Sequence, residues 1–307
     1  MEFVSIRTAT LRGDQKIEFD LYIQIGAKYI AYIRKGDSFE GKRLDRLREK
    51  KLKKMFIRPE DEQAYRGYVT QNIEQAYDSK STKPLENRVA VIQGAQQNST
   101  EAVLENPENQ ANYDHAKEGA GRYVEFLMKE EKAVQAMLNI ENTEHDLAHH
   151  GVTVSTLSVA LANKLGLTDQ AKVQLLALGA LLHDFGHKKK TYPLFKPLND
   201  MSKEEKMEYM KHPQIGAESV QTHRHFDKVV IQIIQQHEEL VDGSGYPKGL
   251  IEKNTEPLAV IVSSANDLDR MILSKKIARA EAGKTFMIDR LGLHPLDQFK
   301  MLKIIMG

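Results

Sequence analysis

The spacing of apolar residues changes once along this chain, from every second position to every third or fourth, and that change fixes the fold class. Near the start the apolar residues fall at Ile17, Phe19, Leu21, Ile23 and Ile25, with Glu18, Asp20 and Gln24 between them. Strict alternation places one set of side chains on a buried strand face and the other in water. Gly26-Ala27-Lys28 reads as a turn and 29–33 as the returning strand; a short helix carrying Leu44 and Leu47 precedes another strand at Met55-Phe56-Ile57. Pro59, with Glu60, Asp61 and Glu62 behind it, opens a helix to about Tyr77 that sets Tyr65, Val69, Ile73 and Tyr77 on one side. Proline tolerates the missing amide partner of a first turn, and acids suit the positive dipole end.

A stretch rich in Ser, Thr, Asn, Gln, Glu and Pro follows, and it reads as a linker. Beyond Tyr113 helical periodicity takes over, over 123–138, 145–165, 169–183, 202–210, 215–220, 227–239 and 257–277. The expectation is α+β overall: a small α+β module at 1–80, a polar linker at 81–112 and an all-α bundle at 113–307.

Composition narrows the function. Lys+Arg number 44 against 43 Asp+Glu, a net charge of +1, which removes global steering toward a nucleic-acid polymer or an anionic membrane. With no cysteine, disulfides, thiolate metal sites and cysteine nucleophiles are excluded together. The longest apolar stretch, Leu175 to Leu182, is far short of the roughly 20 residues of a membrane helix. The opening Met-Glu-Phe-Val-Ser-Ile-Arg lacks the basic-then-apolar layout of a signal peptide, so a cytoplasmic location is expected.

The chemistry-bearing residues lie on separate helical segments: His150, then His183-Asp184, His212, His237 and Asn266-Asp267. Nitrogen and oxygen donors without sulfur suit Fe, Mn, Zn or Ni, and a shared carboxylate suits a two-metal site. His183 and Asp184 are adjacent, so on a helix they point about 100° apart, one toward one ion and the other bridging to a second. His145, His149, His223, His225 and His294 read as ordinary surface residues.

Motif context sharpens this. His183-Asp184-Phe185-Gly186, His212-Pro213-Gln214-Ile215-Gly216-Ala217 and Asp242-Gly243-Ser244-Gly245-Tyr246-Pro247 occur in order, and over roughly 146–277 the chain resembles the HD-GYP family. Members of that family are metal-dependent phosphodiesterases acting on cyclic di-GMP. The resemblance implies an HD-type helical bundle holding two divalent ions, iron or manganese. It implies His150, His183, Asp184, His212 and His237 as ligands, with Asp184 bridging. The last family ligand falls on Asn266 by gapless counting and on Asp267 with a shift of one. Asp146 stands where some members carry an extra acidic ligand for a third ion.

The same resemblance gives Asp184 and Lys188 catalytic roles and makes Tyr246 and Lys196 substrate contacts. It also makes the Gly-Tyr-Pro loop a surface for a signalling partner. The chain departs from the family pattern at several places. Glu238 replaces the second of two paired histidines, Leu240 an arginine, His187 a lysine and Thr153 an arginine, and Lys275-Lys276-Ile277-Ala278 lacks the family's substrate-gripping residues. Two functions follow: hydrolysis of cyclic di-GMP or a related nucleotide, or a metal-bound signalling module with little turnover.

Overall fold

Strands β1 (Val4–Arg7), β2 (Leu21–Ile25), β3 (Lys28–Ile33) and β4 (Lys54–Ile57) form an antiparallel sheet ordered β1-β4-β2-β3. This computed structural model describes residues 3–13, 15–39, 43–50, 52, 54–130, 132–140, 147–189, 192 and 194–307. The β2–β3 hairpin turns at Gly26, whose φ of +61° is a left-handed value that glycine adopts without a Cβ clash. The expected alternation holds its buried face at Ile17, Phe19 and Leu21, each 0% exposed, yet Ile25 is 59% exposed. The reason is the cover: Leu44 and Leu47 of α1 (Arg43–Glu49) and Tyr68 of α2 (Glu62–Tyr77) share one core with Ile17, Phe19 and Leu21, and the hairpin tip lies outside it.

Two sequence expectations are corrected in this part of the chain. The most buried residues of α2 are Tyr68, Asn72 and Ala76, centred one position away from the predicted face. Tyr65 and Val69 of the predicted side pack against the same core partly buried, so the inward stripe is wider than the predicted one. Tyr68 is drawn inward because its hydroxyl accepts the Arg12 amide at 2.7 Å. The predicted linker at 81–112 is instead largely helix, α3 (Leu85–Glu105) and the start of α4 (Gln110–Lys129). Gln, Glu and Ala are good helix formers, so polarity there did not signal loop. Gln93, Gln96, Gln97 and Ser99 of α3 are buried. The chain divides into two compact units, 1–98 and 99–307, and the division falls inside α3.

The second unit is helical. It comprises α4, α5 (Ala133–Leu138), α6 (Leu147–Lys164), α7 (Gln170–Leu182), α8 (Lys203–Tyr209), α9 (His212–Val220), α10 (Lys228–Gln236), α11 (Pro257–Lys275), α12 (Arg279–Asp289) and α13 (Leu296–Met306). Helix α6 is buried on every side from Ala148 to Ala162. Its Val154, Leu157 and Leu161 join Leu176 of α7, Ile233 of α10, Val262 and Leu268 of α11, and Phe299 of α13 in one core. At Gly151 a Cβ would come within 2.8 Å of the Leu181 carbonyl, so α6 and α7 touch backbone to backbone there. That contact sets His150 beside His183, with ring centroids 5.1 Å apart. Helix α9 begins at His212 rather than at the expected 215, because Pro213 suits a first turn. Among the described residues no helix is long and apolar enough to cross a membrane.

Candidate metal centre

Helix ends converge inside the second unit. His183 caps the C-terminus of α7 with Asp184 next to it, His237 caps α10 with Glu238 next to it, and His212 opens α9. His150 reaches in from α6 and Asn266 from α11. His150, His183, His187, His212, His237 and Asn266 are each at most 1% exposed. Asp184 sits at the middle: its Oδ2 is 3.6 Å from His150 Nε2 and 3.5 Å from His183 Nε2. Its Oδ1 is 3.4 Å from the Nε2 of both His187 and His212, and 3.5 Å from that of His237.

The backbone decides which ring nitrogens carry protons. The last carbonyls of a helix have no partner within it. His183 Nδ1 lies 2.7 Å from Ala180 O, His237 Nδ1 2.9 Å from Ile234 O, and His212 Nδ1 2.7 Å from Tyr209 O, the last residue of α8. A carbonyl only accepts, so each Nδ1 donates and each Nε2 presents a lone pair inward. Burial pushes His183 down to about 3 and lowers His212 and His187 as well, so these rings stay neutral.

Lone pairs therefore face one another. His212 Nε2 and His237 Nε2 are 2.9 Å apart. Neither oxygen of Asp184 receives a hydrogen bond, and His183 Nε2 makes none. Buried polar atoms are ordinarily paired, and a set of acceptors turned inward with no donor among them fits cations. Ligand atoms within 4.8 Å of one another fall into three overlapping groups: His150, His183 and Asp184; Asp184, His187 and His212; His212, His237 and Glu238. Asp184 belongs to two of them, as a bridging group would.

Asn266 and Asp267 part company. Asn266 Oδ1 lies 3.0 Å from His150 Nε2, and its Nδ2 donates to Glu238 Oε1 at 3.3 Å, which fixes the amide with its oxygen inward. Asp267 is not brought to the cluster; its carboxylate is taken by Arg290 at 2.8 Å and His294 at 3.0 Å. His294 is thus buried and paired, not an ordinary surface residue, and His149 is buried with its Nε2 on Ile140 O at 3.0 Å. Lys196 pairs with Glu205 at 3.1 Å on the rim of a cavity that also reaches Glu238. Tyr246 turns inward: its hydroxyl is buried and its ring centroid is 6.3 Å from that of His212. Lys188 lies on the short turn Phe185–Lys189 directly after Asp184, and its side chain is outside the described residues, as are all of His145 and Asp146.

Four participants were not foreseen. Asp269 accepts from His150 Nδ1 at 2.7 Å, turning the other nitrogen inward. Burial works against a proton on His150, but this carboxylate raises its affinity overall. Asp269 follows Asn266 by three residues, the spacing that stacks side chains on one helix face. His187, which stands where the family has a lysine and was expected at most to steady a phosphate or protonate the leaving oxygen, packs its ring on that of His212 at 3.8 Å and joins the cluster. Tyr209 donates to Glu238 Oε1 at 3.0 Å, and Arg270 lies over the Tyr209 ring at 4.5 Å.

Glycines set the spacing of these groups. A Cβ on Gly186 would collide with the His212 carbonyl, and one on Gly216 would come within 2.9 Å of Gly186 N. The turn after Asp184 thus lies directly on α9. Gly186→Ala is expected to cost about 3 kcal/mol or more and to release bound metal, read by thermal melting with metal analysis. The Gly-Tyr-Pro loop is pinned by Glu239, 3% exposed, whose oxygens accept Lys248 N and Leu250 N, each at 2.7 Å. Glu239→Ala strands both amides. It should lower stability by about 2–4 kcal/mol in denaturant melts, with Glu239→Gln in between.

A helical domain that gathers an adjacent His-Asp pair with histidines from other helix ends defines an HD-domain protein, and the HD domain model matches residues 132–287, just over half of the chain. A solved structure, Bd1817, an HDG"Y"P protein from Bdellovibrio bacteriovorus, is 54% identical with a TM-score of 0.92 and covers 99% of both chains. The chain belongs to the HD-GYP family of HD-domain proteins. Among curated relatives it is 28% identical over 145 residues to cyclic di-GMP phosphodiesterase PA4108 from Pseudomonas aeruginosa, covering 47% of this chain and 35% of that one. It is 31% identical over 131 residues to cyclic di-GMP phosphodiesterase PdeB from Borreliella burgdorferi, covering 41% and 33%. The chain thus spans about a third of the length of these curated relatives.

Proposed function

We propose that this chain is a metal-dependent phosphodiesterase that hydrolyses cyclic di-GMP at a centre of two divalent ions, iron or manganese. The observation that carries this reading is the Asp184 carboxylate, buried without a donor among imidazole lone pairs. His150, His183, Asp184 and Asn266 would hold one ion; Asp184, His187, His212, His237 and Glu238 would hold the other. Two such ions supply Lewis acidity toward a phosphoryl oxygen and a nucleophile at neutral pH. The substrate is suggested by the names of the curated relatives, which are cyclic di-GMP phosphodiesterases.

The chain's own residues organise the rest. Asp269 orients His150, and the helix-end carbonyls orient three further imidazoles. Tyr209 and the Asn266 amide hold Glu238 Oε1 toward His212 and His237, 3.9 Å from each Nε2. Lys196 lines the cavity next to Glu238 and Tyr246 faces His212, and Lys188, four residues after Asp184, would steady the phosphate or protonate the leaving oxygen. Incubation with cyclic di-GMP and manganese or ferrous iron is expected to release linear dinucleotide or GMP. Binding of the dinucleotide with no product overturns the hydrolytic reading in favour of a metal-bound signalling module.

A further inference from the structure

Next to Glu238 lies a cavity of about 310 Å³ whose lining includes Lys196, Lys206, Arg270, Lys275 and Arg290. Most of these cations are committed elsewhere. Lys196 pairs with Glu205 at 3.1 Å, Lys275 with Asp289 at 2.6 Å and Arg290 with Asp267 at 2.8 Å, while Lys206 is exposed to water. Arg270 is different. Its Nη2 reaches the Leu194 carbonyl at 3.4 Å, whereas its Nη1 is buried and has no partner. Among the described residues no carboxylate forms an ion pair with it.

A guanidinium taken from water with a free N–H and no carboxylate in ion-pair contact, Glu238 and Asp184 acting on it only from farther off, is a costly arrangement that an incoming anion would relieve. Arginine's planar fork matches phosphate oxygens, so phosphate is the anion it suits best. The position is fixed by packing. The guanidinium lies over the Tyr209 ring at 4.5 Å, Tyr209 donates to Glu238, and Glu238 faces the imidazoles of His212 and His237. The neighbouring Asp269 holds His150. Arg270 is therefore built into the wall between the cavity and the cluster.

We infer that Arg270 binds the second phosphate of a substrate that carries two, while the phosphodiester to be cleaved lies at the metal centre. This rests on the phosphodiesterase reading. It supplies, from α11 itself, a cationic grip of the kind missing at Lys275-Lys276-Ile277-Ala278. Arg270 is a substrate-binding residue and not a metal ligand, so its replacement should spare the ions.

The test measures equilibrium binding of cyclic di-GMP to metal-loaded wild type, Arg270→Gln and Arg270→Lys, with metal content and melting temperature recorded for each. Arg270→Gln is expected to weaken binding about 10- to 100-fold at unchanged metal content. Arg270→Lys keeps the charge without the fork and should weaken binding about threefold or more; it carries the test if the glutamine variant melts early. Equal binding by Arg270→Gln and wild type, or loss of the ions together with the nucleotide, overturns the inference, as does wild type that binds no cyclic di-GMP. Wild type that binds but does not cleave removes the hydrolytic reading alone, and the comparison among variants still decides the role of Arg270.

Discussion

Chelation is expected to lower the melting temperature of the purified protein by about 8–16 °C, and Asp184→Ala to abolish both ion binding and the response to chelator. Ions held by the folded state and not by the unfolded chain contribute about 4 kcal/mol at a thousandfold excess over Kd. In a domain of this size each kcal/mol moves the midpoint by about 2–4 °C. The metal-free comparison has the opposite sign. Without cations the Asp184 carboxylate is a buried charge that receives no hydrogen bond, so Asp184→Ala should melt above chelated wild type by the equivalent of about 1–3 kcal/mol. Metal analysis together with paired melts checks both halves. Identical midpoints with and without chelator, or ions retained by Asp184→Ala, overturn the site.

Asn266→Asp is expected to raise ion affinity about tenfold or more, and at the same time to destabilise the chelated protein by about 2–4 kcal/mol. The wild-type amide does two jobs: its oxygen lies 3.0 Å from His150 Nε2 and its nitrogen donates to Glu238 Oε1 at 3.3 Å. A carboxylate adds charge toward the ions but sets two acidic groups against each other when no cation lies between them. The gap between loaded and chelated melting temperatures should therefore widen beyond that of wild type. A gap equal to or smaller than wild type's overturns the placement of Asn266 at the centre.

Much of this was legible in the sequence because it depends on local pattern. Period-two spacing marks Ile17 to Leu21, and the order of His150, His183-Asp184, His212 and His237 along the chain marks the gathering of helix ends. What stayed hidden depends on direction and depth. Asn266 and Asp267 are neighbours on α11, yet only a rotation of about 100° separates a group at the cluster from one bound to Arg290 and His294. His187 stands where the family has a lysine, and spacing cannot show its ring packed on His212. Helix α3 escaped notice because Gln93, Gln96, Gln97, Ser99 and Thr100 share its buried side with Val89, Ile92 and Val103, which breaks up the hydrophobicity pattern. Arg270 stands directly after Asn266-Asp267-Leu268-Asp269, where a cation reads as an ordinary partner for the neighbouring acids.

The convergence of helix ends has an electrostatic consequence. Helices α7 and α10 both point their carboxyl-terminal ends at the cluster, and such an end carries about half a negative elementary charge from its aligned peptide dipoles. Two of these ends, set against the one amino-terminal end that α9 presents at His212, leave a net field that favours cations before any side chain is considered. The same field opposes a phosphate, so cyclic di-GMP is expected to bind the chelated protein more weakly than the ion-loaded protein, as paired binding titrations would check.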